Sequence, residues 1–439
     1  MSELKAILLA AGDSGRLWPI EDKLFINFFN STLIQHSLNQ LIKIGIKNFY
    51  LVASYRNVAL CNRLKADNSQ QNIQVVIQKN KLGMAGAILS VKEEVDNQPI
   101  LIVGPSDVFE DYLLQQFMTV YRQKPDGIMV GKNLKSYAPL GYLTADHDIV
   151  TGIVEKPPPA KLKSNIASLV FDYFRNSRSL IEAIEKCATK DDDLYEKAKD
   201  KLISAGQIFK LLSYNGYWGY LKYPWHVLDI TSYFLSRIKS KIKKVKIDKS
   251  VKIEGEVYLE DNVTILENVK LVGPVYLGSG TLIGQNSLIR ESMIGQNCIV
   301  GFNCEIARSF VGNNCWFHGN YVGDSVILDN CAFGSGAIVA NYRLDGQTVN
   351  SVIEGKKINT GRTKLGVVVG SESRIGINTS LMPGIKIGRH SYVGSGMVVS
   401  QDLPDNQFME LKNGKVNIVK NRINSGLNNI EVNRLKLKF

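Results

Sequence analysis

A small basic loop follows the first apolar run of the chain. Residues 6–11 read Ala-Ile-Leu-Leu-Ala-Ala and lead into Gly12, with Arg16 and Lys23 close behind. Backbone N–H groups and fixed cations in such a loop can surround phosphates, because glycine places no Cβ in the way. The loop lacks the Gly-Lys-Ser/Thr ending of a P-loop and the third glycine of a dinucleotide fingerprint. We therefore predict a phosphate site of another kind.

A second chemical candidate is His318, in the run Trp-Phe-His-Gly-Asn-Tyr over residues 316–321. Imidazole titrates near neutral pH, so a positioned histidine is the expected general base when an amine must lose a proton. A lone histidine is more often an ordinary surface or core residue. Here Gly-Ser-Gly at 334–336 and Asn341 follow at short spacing, and this pattern favours catalysis.

The size and composition of the chain indicate a globular protein of two or three domains. A chain of 439 residues is too long for one ordinary core. Its composition, 44% hydrophobic and 21% charged, is typical of globular proteins. No apolar run approaches the length of a bilayer and the N-terminus lacks a signal-peptide layout, so we expect a cytoplasmic protein with no membrane partner. Six cysteines without a CxxC pair or zinc spacing are typical of a reducing compartment.

The chain is basic, with a formal net charge of +12 and a run of lysines between residues 237 and 249. Nucleic acid is one possible partner for such charge, and small phosphorylated substrates are another. The run contains no interleaved aromatic residues. We therefore predict a solvated basic linker helix over residues 231–250 and no nucleic-acid partner.

The first 230 residues alternate short apolar runs with helical stretches. This alternation predicts βαβ units and a mostly parallel sheet over residues 1–230. Ligands in such sheets bind at the carboxyl ends of the strands, where Gly12 and Asp107 would both lie.

A six-residue period dominates residues 251–405, often as aliphatic-Gly-x-x-small. This period fits neither a helix nor an alternating strand, and it predicts a triangular parallel β-helix. Three cysteines take the small position and should be buried in its corners: Cys298, Cys304 and Cys315. Residues 406–439 are rich in Asn and Lys and are expected to form a weakly ordered tail.

The N-terminal loop resembles the signature of the sugar-1-phosphate nucleotidylyltransferases, which reads Leu-Ala-Ala-Gly-x-Gly-x-Arg-Leu/Met-x-Pro before a lysine. The matching residues are Leu9, Ala10, Ala11, Gly12, Arg16, Leu17, Pro19 and Lys23, while Ser14 replaces the second glycine. The hexapeptides resemble those of the left-handed β-helix acyltransferases. Nearly the whole chain resembles the bifunctional N-acetylglucosamine-1-phosphate uridylyltransferase/glucosamine-1-phosphate acetyltransferases, especially the archaeal type. This resemblance implies an α/β fold with an N-terminal Rossmann-like nucleotidyltransferase domain and a C-terminal left-handed parallel β-helix.

The resemblance implies roles for residues in the N-terminal half. The triphosphate and base would contact Leu9, Ala10, Ala11, Gly12, Arg16, Lys23, Gln78 and Gly83, and the sugar phosphate would contact Gly141, Glu155, Lys156 and Asn165. Asp107 would bind Mg²⁺, since carboxylate oxygen is a preferred ligand of that ion. The second metal carboxylate of the family is replaced by Tyr220, with Lys222 nearby. We therefore expect weak or altered nucleotidyl transfer.

The resemblance also implies an acetyl-transfer site in the β-helix. His318 would be the general base, the backbone near Ser335 the oxyanion hole, and Asn341 would orient the imidazole or the substrate. The sugar phosphate would contact Arg290, Tyr321 and Lys364.

Two family contacts are missing at that site, because Ala307 replaces a lysine and Ala332 replaces an asparagine. Arg308 follows Ala307, and strand alternation predicts that its side chain faces the other way. A changed acyl acceptor is therefore expected.

The leading hypothesis is synthesis of a nucleotide-activated amino sugar from a nucleoside triphosphate (UTP or dTTP), a sugar 1-phosphate and acetyl-CoA. The family likeness also implies a homotrimer. Two alternatives stay open. One is an acetyltransferase alone, and the other is a decayed trimeric scaffold that binds nucleotides or sugars without turnover.

Overall fold

The computed structural model describes residues 4–12, 15–187 and 193–423. Contacts divide the chain into two compact units. The first comprises Met1–Asp13, Leu24–Ile26 and Thr32–Tyr220, and the second comprises Ser14–Lys23, Asn27–Ser31 and Leu221–Phe439. Two short stretches near the N-terminus, 15–23 and 27–31, therefore belong with the second unit.

Strands and helices alternate over the first part of the chain. The strands are β1 (Lys5–Leu9), β2 (Asn27–Phe28), β3 (Ser31–Thr32), β4 (Asn48–Ala53), β5 (Asn72–Ile77), β6 (Ile100–Val103), β7 (Asp107–Phe109), β8 (Gly127–Asn133), β9 (Gly141–Asp146), β10 (Ile149–Glu155), β11 (Ile166–Phe174), β12 (Phe209–Ser213) and β13 (Trp218–Tyr220). The helices are α1 (Leu33–Lys43), α2 (Val58–Asp67), α3 (Gly83–Leu89), α4 (Lys92–Val95), α5 (Asp111–Tyr121), α6 (Ser177–Glu185), α7 (Leu194–Ser204) and α8 (His226–Leu235).

Within the described residues of the first unit, one mixed sheet has the strand order β5-β4-β1-β6-β11-β8-β12-β10-β9. Its two faces bury different cores, and β1 shows how the sequence achieves this. Leu8 belongs to the core that includes Leu38 of α1, whereas Ile7 belongs to the core that includes Ile88 of α3. Successive strand side chains point to opposite faces, so a continuous apolar run buries both. The predicted α/β fold is confirmed, but the prediction of a mostly parallel sheet is wrong. Strand β11 pairs antiparallel with β6 and β8, and β10 pairs antiparallel with β12 and β9, because alternating apolar runs do not encode strand direction.

The second unit contains a parallel β-helix with three faces. The first face is built from Lys241–Ile242, Val257–Leu259, Val275–Leu277, Met293–Ile294, Phe310–Val311, Val326–Ile327, Val368–Val369 and Lys386–Ile387. The second is built from Lys246–Ile247, Thr264–Ile265, Leu282–Ile283, Ile299–Val300, Trp316–Phe317, Ala332–Phe333, Arg374–Ile375, Tyr392–Val393, Gln407–Lys412 and Lys415–Lys420. The third is built from Lys252–Glu254, Lys270–Val272, Leu288–Arg290, Glu305–Ala307, Tyr321–Gly323, Ile338–Val339, Ser380–Leu381 and Val398–Val399. A hairpin of Asn350–Ile353 and Lys356–Asn359 interrupts the coils.

The hexapeptide pattern is explained by the close approach of successive coils. An added Cβ on Gly295 would lie 2.7 Å from backbone atoms of Gly312 on the next coil, so only glycine fits there. Asn297 and Asn314 adopt φ values of +54° and +56° at the corners, a conformation that asparagine tolerates better than most residues. The left-handed β-helix predicted from the sequence is confirmed, and the predicted small cysteines are buried in its core.

Two predictions about segments are wrong. Residues 231–250 are not a linker helix, because α8 ends at Leu235 and the strands Lys241–Ile242 and Lys246–Ile247 begin the β-helix. The many lysines of this run suggest a solvated segment, but its apolar residues Val245 and Ile247 contact the β-helix core. The tail from 406 is not structureless where it is described, since Gln407–Lys412 and Lys415–Lys420 pair as an antiparallel hairpin. The remainder, 424–439, lies outside the described residues.

Candidate active sites

Three residues predicted for the nucleotidyl-transfer site, two for the nucleotide and one for the metal, follow the carboxyl ends of parallel strands in the first unit. Strands β1, β4, β5 and β6 run parallel to one another. Gly12 comes after β1, Gln78 after β5 and Asp107 after β6. Because such ends meet at one edge of a sheet, the structure places these three residues at the same edge.

Gln78 and Gly83 are held together by local hydrogen bonds. The side-chain amide of Gln78 donates to the carbonyl oxygens of Asn80 at 2.8 Å and Gly83 at 3.0 Å. An added Cβ on Gly86 would lie 2.7 Å from Gln78 Nε2, so this glycine lets α3 approach the turn. Sequence analysis missed Gly86, and its place in a Gly-x-x-Gly helix start is the signal that could have found it.

The loop after Gly12 passes from the first unit to the second. Before it, the Ala10 N–H donates to Val52 O at 2.9 Å, which extends the strand pairing beyond Leu9. Arg16 is exposed in a 3₁₀ turn at Gly15–Leu17, and Lys23 begins another at Lys23–Phe25. Both cations belong to the second unit by their contacts. Their grouping with Gly12 around a nucleotide stays a prediction.

The predicted metal ligand Asp107 opens β7, which pairs with β13. Its backbone N–H donates to Gly104 O at 3.0 Å. An added Cβ on Gly104 would lie 3.2 Å from Asp107 Oδ2, so the glycine leaves room for the carboxylate. Among the described residues, no group of three or more His, Cys, Asp or Glu could hold a metal. One carboxylate suits Mg²⁺ when substrate phosphates supply further oxygens, and Asp107 fits that arrangement.

The predicted sugar-site residues Gly141, Glu155 and Lys156 lie together where β9 and β10 pair. Gly141 is directly opposite Glu155, and an added Cβ on Gly141 would lie 3.0 Å from Glu155 Oε2. Lys156 Nζ lies 2.7 Å from Glu155 Oε1. Asn165 precedes β11, which also pairs with β9. A largely buried carboxylate beside a lysine can bind sugar hydroxyls and phosphate together.

A buried polar network between β11 and α7 was not predicted. Asp172 is fully buried and accepts hydrogen bonds from the Tyr195 hydroxyl at 2.7 Å and Lys199 Nζ at 2.9 Å. Glu196, on the same helix, is only 5% exposed. Burial raises the pKa of Glu196 to about 7; Lys199 opposes the shift and Glu155 adds to it. The sequence gives no signal for this network, because aspartate and glutamate are residue types that ordinarily face solvent.

His318 and Ser335 lie on adjacent coils of the second unit. The Gly336 N–H donates to Gly319 O at 3.3 Å, and Ser335 Oγ would lie 3.7 Å from an added Cβ on Gly319. The imidazole is accessible and its centroid lies 4.4 Å from that of Trp316. Partial burial lowers the pKa of His318, which favours the neutral form that a general base requires.

Asp324 joins several residues of the acetyl-transfer region and was not predicted. It accepts two hydrogen bonds from Arg308, each 2.7 Å long, and one from Asn341 Nδ2 at 2.5 Å. Asn341 Nδ2 also lies 3.1 Å from the Tyr321 hydroxyl. The hydrogen bond to Asp324 raises the pKa of Arg308. An added Cβ on Gly323 would lie 2.6 Å from the Tyr321 hydroxyl, so glycine is needed beneath this network.

Arg308 does not occupy the strand position that the prediction of its direction assumed. Arg308 lies just after the strand Glu305–Ala307 with φ +48°, at a corner, where strand alternation does not apply. Its guanidinium therefore turns toward Asp324, while the side chain of Ala307 is fully buried.

The two predicted phosphate cations of the acetyl site lie in different settings. Arg290 donates to Glu305 Oε1 from Nε at 3.0 Å and is paired along the face with Ala307. The backbone of Lys364 pairs with Tyr342, and the next residue, Leu365, donates to Asn341 O at 3.0 Å. Lys364 thus lies beside the Asp324 network, whereas Arg290 is engaged with a carboxylate.

Residues 5–219 match the nucleotidyl transferase family. The chain is 34% identical to the bifunctional protein GlmU of Methanococcus maripaludis, over 93% of this chain and 98% of that one. It is 31% identical to the bifunctional sugar-1-phosphate nucleotidylyltransferase/acetyltransferase of Sulfurisphaera tokodaii, over 93% of this chain and 100% of that one.

The chain therefore belongs to the family of bifunctional sugar-1-phosphate nucleotidylyltransferase/acetyltransferases of the GlmU type. Among solved structures, apo UDP-glucose pyrophosphorylase aligns at 15% identity with a TM-score of 0.48, over 54% of this chain and 100% of that one. In the described part of the chain, no helix is both long and apolar enough to cross a bilayer.

Proposed function

We propose that the first half of the chain transfers a nucleotidyl group from UTP or dTTP to a sugar 1-phosphate. The observation that carries this proposal is the convergence of Gly12, Gln78 and Asp107 at one edge of the sheet, after three parallel strands. Ligands bind at that edge in open α/β sheets. The names of the bifunctional relatives support the same reaction.

In this reaction an oxygen of the sugar phosphate attacks the α-phosphorus, the bond to the β-phosphate oxygen breaks, and pyrophosphate leaves. Arg16 and Lys23 neutralise the crowded phosphates, and the Gln78 amide reads the base. Glu155 accepts hydrogen bonds from sugar hydroxyls, with Lys156 beside it for the phosphate. Asp107 would hold Mg²⁺, which neutralises charge on the phosphate oxygens when it is bound.

We propose acetyl transfer from acetyl-CoA to an amino-sugar phosphate as the second activity, at the β-helix. The amine nitrogen forms a bond to the acetyl carbon and the carbon–sulfur bond of the thioester breaks. His318 takes the proton from nitrogen and returns it to the leaving thiolate, while the backbone at Ser335 stabilises the oxyanion. The support is the adjacency of His318 and Ser335 together with the Asp324 network that positions Asn341 and Tyr321.

The experiment assays both half-reactions with the purified full chain. Pyrophosphate release is measured with UTP or dTTP and several sugar 1-phosphates, and free thiol release is measured with acetyl-CoA and amino-sugar phosphates. We expect both products, with nucleotidyl transfer the weaker because Tyr220 replaces a carboxylate. Thiol release alone would favour the acetyltransferase alternative, and neither product, with UTP bound, would favour the scaffold. Sedimentation of the same sample tests the homotrimer, which the family likeness supports.

A further inference from the structure

The loop that carries Arg16 and Lys23 is fixed to the last coils of the β-helix, and nothing in the proposed reaction requires this. Trp18 lies between the two cations, and its Nε1 donates to Asp405 Oδ1 at 2.8 Å. Glu21, further along the loop, pairs with Arg389 at 3.1 Å. All of these residues belong to the second unit.

The carboxylate that accepts the hydrogen bond from Trp18 is itself held in place by Arg389. Its other carboxylate oxygen accepts from Arg389 Nε at 3.1 Å and Nη2 at 2.6 Å, and Oδ1 accepts from the Arg389 backbone N–H at 2.8 Å. Burial works against the charged form, yet the hydrogen bonds from Arg389 and Trp18 hold the pKa of Asp405 below its usual range. The carboxylate therefore stays charged at neutral pH, and its bond to the indole is charge-assisted.

The aromatic face of Trp18 is held as well. The Nζ of Lys386 lies 5.4 Å from the ring centroid, and this lysine is itself bonded to Asp402 at 2.5 Å. Leu17 and Ile20, on either side of the Trp18–Pro19 pair, are buried. The middle of the loop is thus fixed by the contacts of the Trp18 N–H, by the contact of its ring face and by the burial of Leu17 and Ile20. The side chain of Arg16 is exposed.

We infer that Trp18, Asp405 and Arg389 are positioning residues for nucleotidyl transfer. The terminal coils of the acetyl-transfer half hold the triphosphate loop in its binding conformation. The loop is therefore already ordered before the nucleotide binds. Ordering a loop on binding costs affinity, and fixing it beforehand removes that cost. This inference rests on the proposed nucleotidyl transfer and adds a dependence on residues far along the sequence.

The test compares Trp18→Phe, which keeps an aromatic ring and loses the N–H donor, and Asp405→Asn with the wild type. We expect KM for the nucleoside triphosphate to rise about tenfold, as loss of a charge-assisted hydrogen bond predicts, with kcat little changed. Thiol release from acetyl-CoA should stay at the wild-type rate. Lys244→Gln, which removes an exposed ion pair with Asp261 in the same unit, is the matched control and should leave KM unchanged.

A second measurement does not depend on turnover. Hydrogen exchange of the backbone amides at residues 15–22 should accelerate in Trp18→Phe and Asp405→Asn, while amides of the β-helix core keep their protection. Equal KM values and equal exchange in wild type and both variants would overturn the inference. If the wild type transfers no nucleotide, the proposed reaction fails, and exchange alone decides whether these residues hold the loop.

Discussion

Asp107 lies directly opposite Tyr220 in the antiparallel pair formed by β7 and β13. The phenol therefore occupies the position across from the predicted metal ligand, where a second carboxylate would reach the same ion. Tyrosine at neutral pH is uncharged, because an unperturbed phenol has a pKa near 10. The pairing gives a structural reason for the weak nucleotidyl transfer expected from the sequence.

Replacing Tyr220 with Asp should strengthen metal-dependent nucleotidyl transfer. Two facing carboxylates hold Mg²⁺ better than one. The Mg²⁺ concentration that gives half-saturation should therefore fall on the order of tenfold, the scale of single-residue effects at metal sites. Titration calorimetry with Mg²⁺ and a non-hydrolysable triphosphate measures this affinity, and pyrophosphate release measures turnover. Tyr220→Phe is the control for loss of the hydroxyl alone. An unchanged Mg²⁺ dependence in Tyr220→Asp would contradict the role given to Asp107.

The sequence predicted the architecture well because periodicity reports directly on side-chain direction. The six-residue repeat predicted the β-helix, since each aliphatic residue must point into the prism. The charge of the basic run near Lys241 suggests a solvated helix, but its apolar residues Val245 and Ile247 contact the core of the β-helix. Where charge and apolar periodicity indicate different structures in a solenoid, the periodicity is the better guide to the fold. Each terminal coil exposes an edge that the next segment of the chain must cover.

Contacts between distant residues were the part that the sequence could not supply. Gln78 and Gly83 were assigned through their likeness to a short family motif, whereas Asp324 is linked to Arg308 across a coil that only the fold defines. The bond from Trp18 to Asp405 spans 387 positions. No local pattern encodes such pairs, since each residue is an ordinary polar or aromatic residue in its own segment.

Replacing His318 with Ala should reduce thiol release from acetyl-CoA by at least about 100-fold, the usual contribution of a general base. Because the pKa of His318 is lowered by partial burial, its imidazole stays neutral to a lower pH than that of an exposed histidine. The wild-type kcat/KM for acetyl transfer should therefore decline only below about pH 6.5, the unperturbed histidine value. The control is His390→Ala, which removes an imidazole of the same β-helix paired with Glu372 at 3.0 Å. Full thiol release by His318→Ala would remove this residue as the base.

Replacing Arg308 with Gln should loosen the acetyl site through Asp324. The carboxylate loses both guanidinium bonds and is left nearly buried, which costs about 3 kcal/mol of β-helix stability for a broken buried pair. Asn341, which donates to Asp324, then loses the fixed position from which it also donates to the Tyr321 hydroxyl, and acetyl transfer slows. Thermal unfolding and thiol release measure the two effects.

The matched variants for Arg308 separate charge from geometry. Arg308→Lys keeps the charge but not the bidentate fork, so its rate should fall between wild type and Arg308→Gln. The double variant Arg308→Gln/Asp324→Asn removes the buried charge and should recover part of the stability. Strict additivity of the two single changes would show that Arg308 and Asp324 do not act as a pair.

Glu196 should make the stability of the first unit fall as pH rises. Its folded pKa is raised to about 7 from 4.5, so the native state binds the proton more tightly than the unfolded chain does. Stability from this group is fully present below about pH 4.5 and is lost as pH rises through about 7. The loss is at most about 3 kcal/mol, from the size of the shift. Glu196→Gln stays neutral throughout, so its thermal midpoint should exceed that of the wild type at pH 8 by more than at pH 5. Glu185→Gln, which removes an exposed partner of Lys92, should show no such trend, and parallel pH profiles for wild type and Glu196→Gln would contradict the raised pKa.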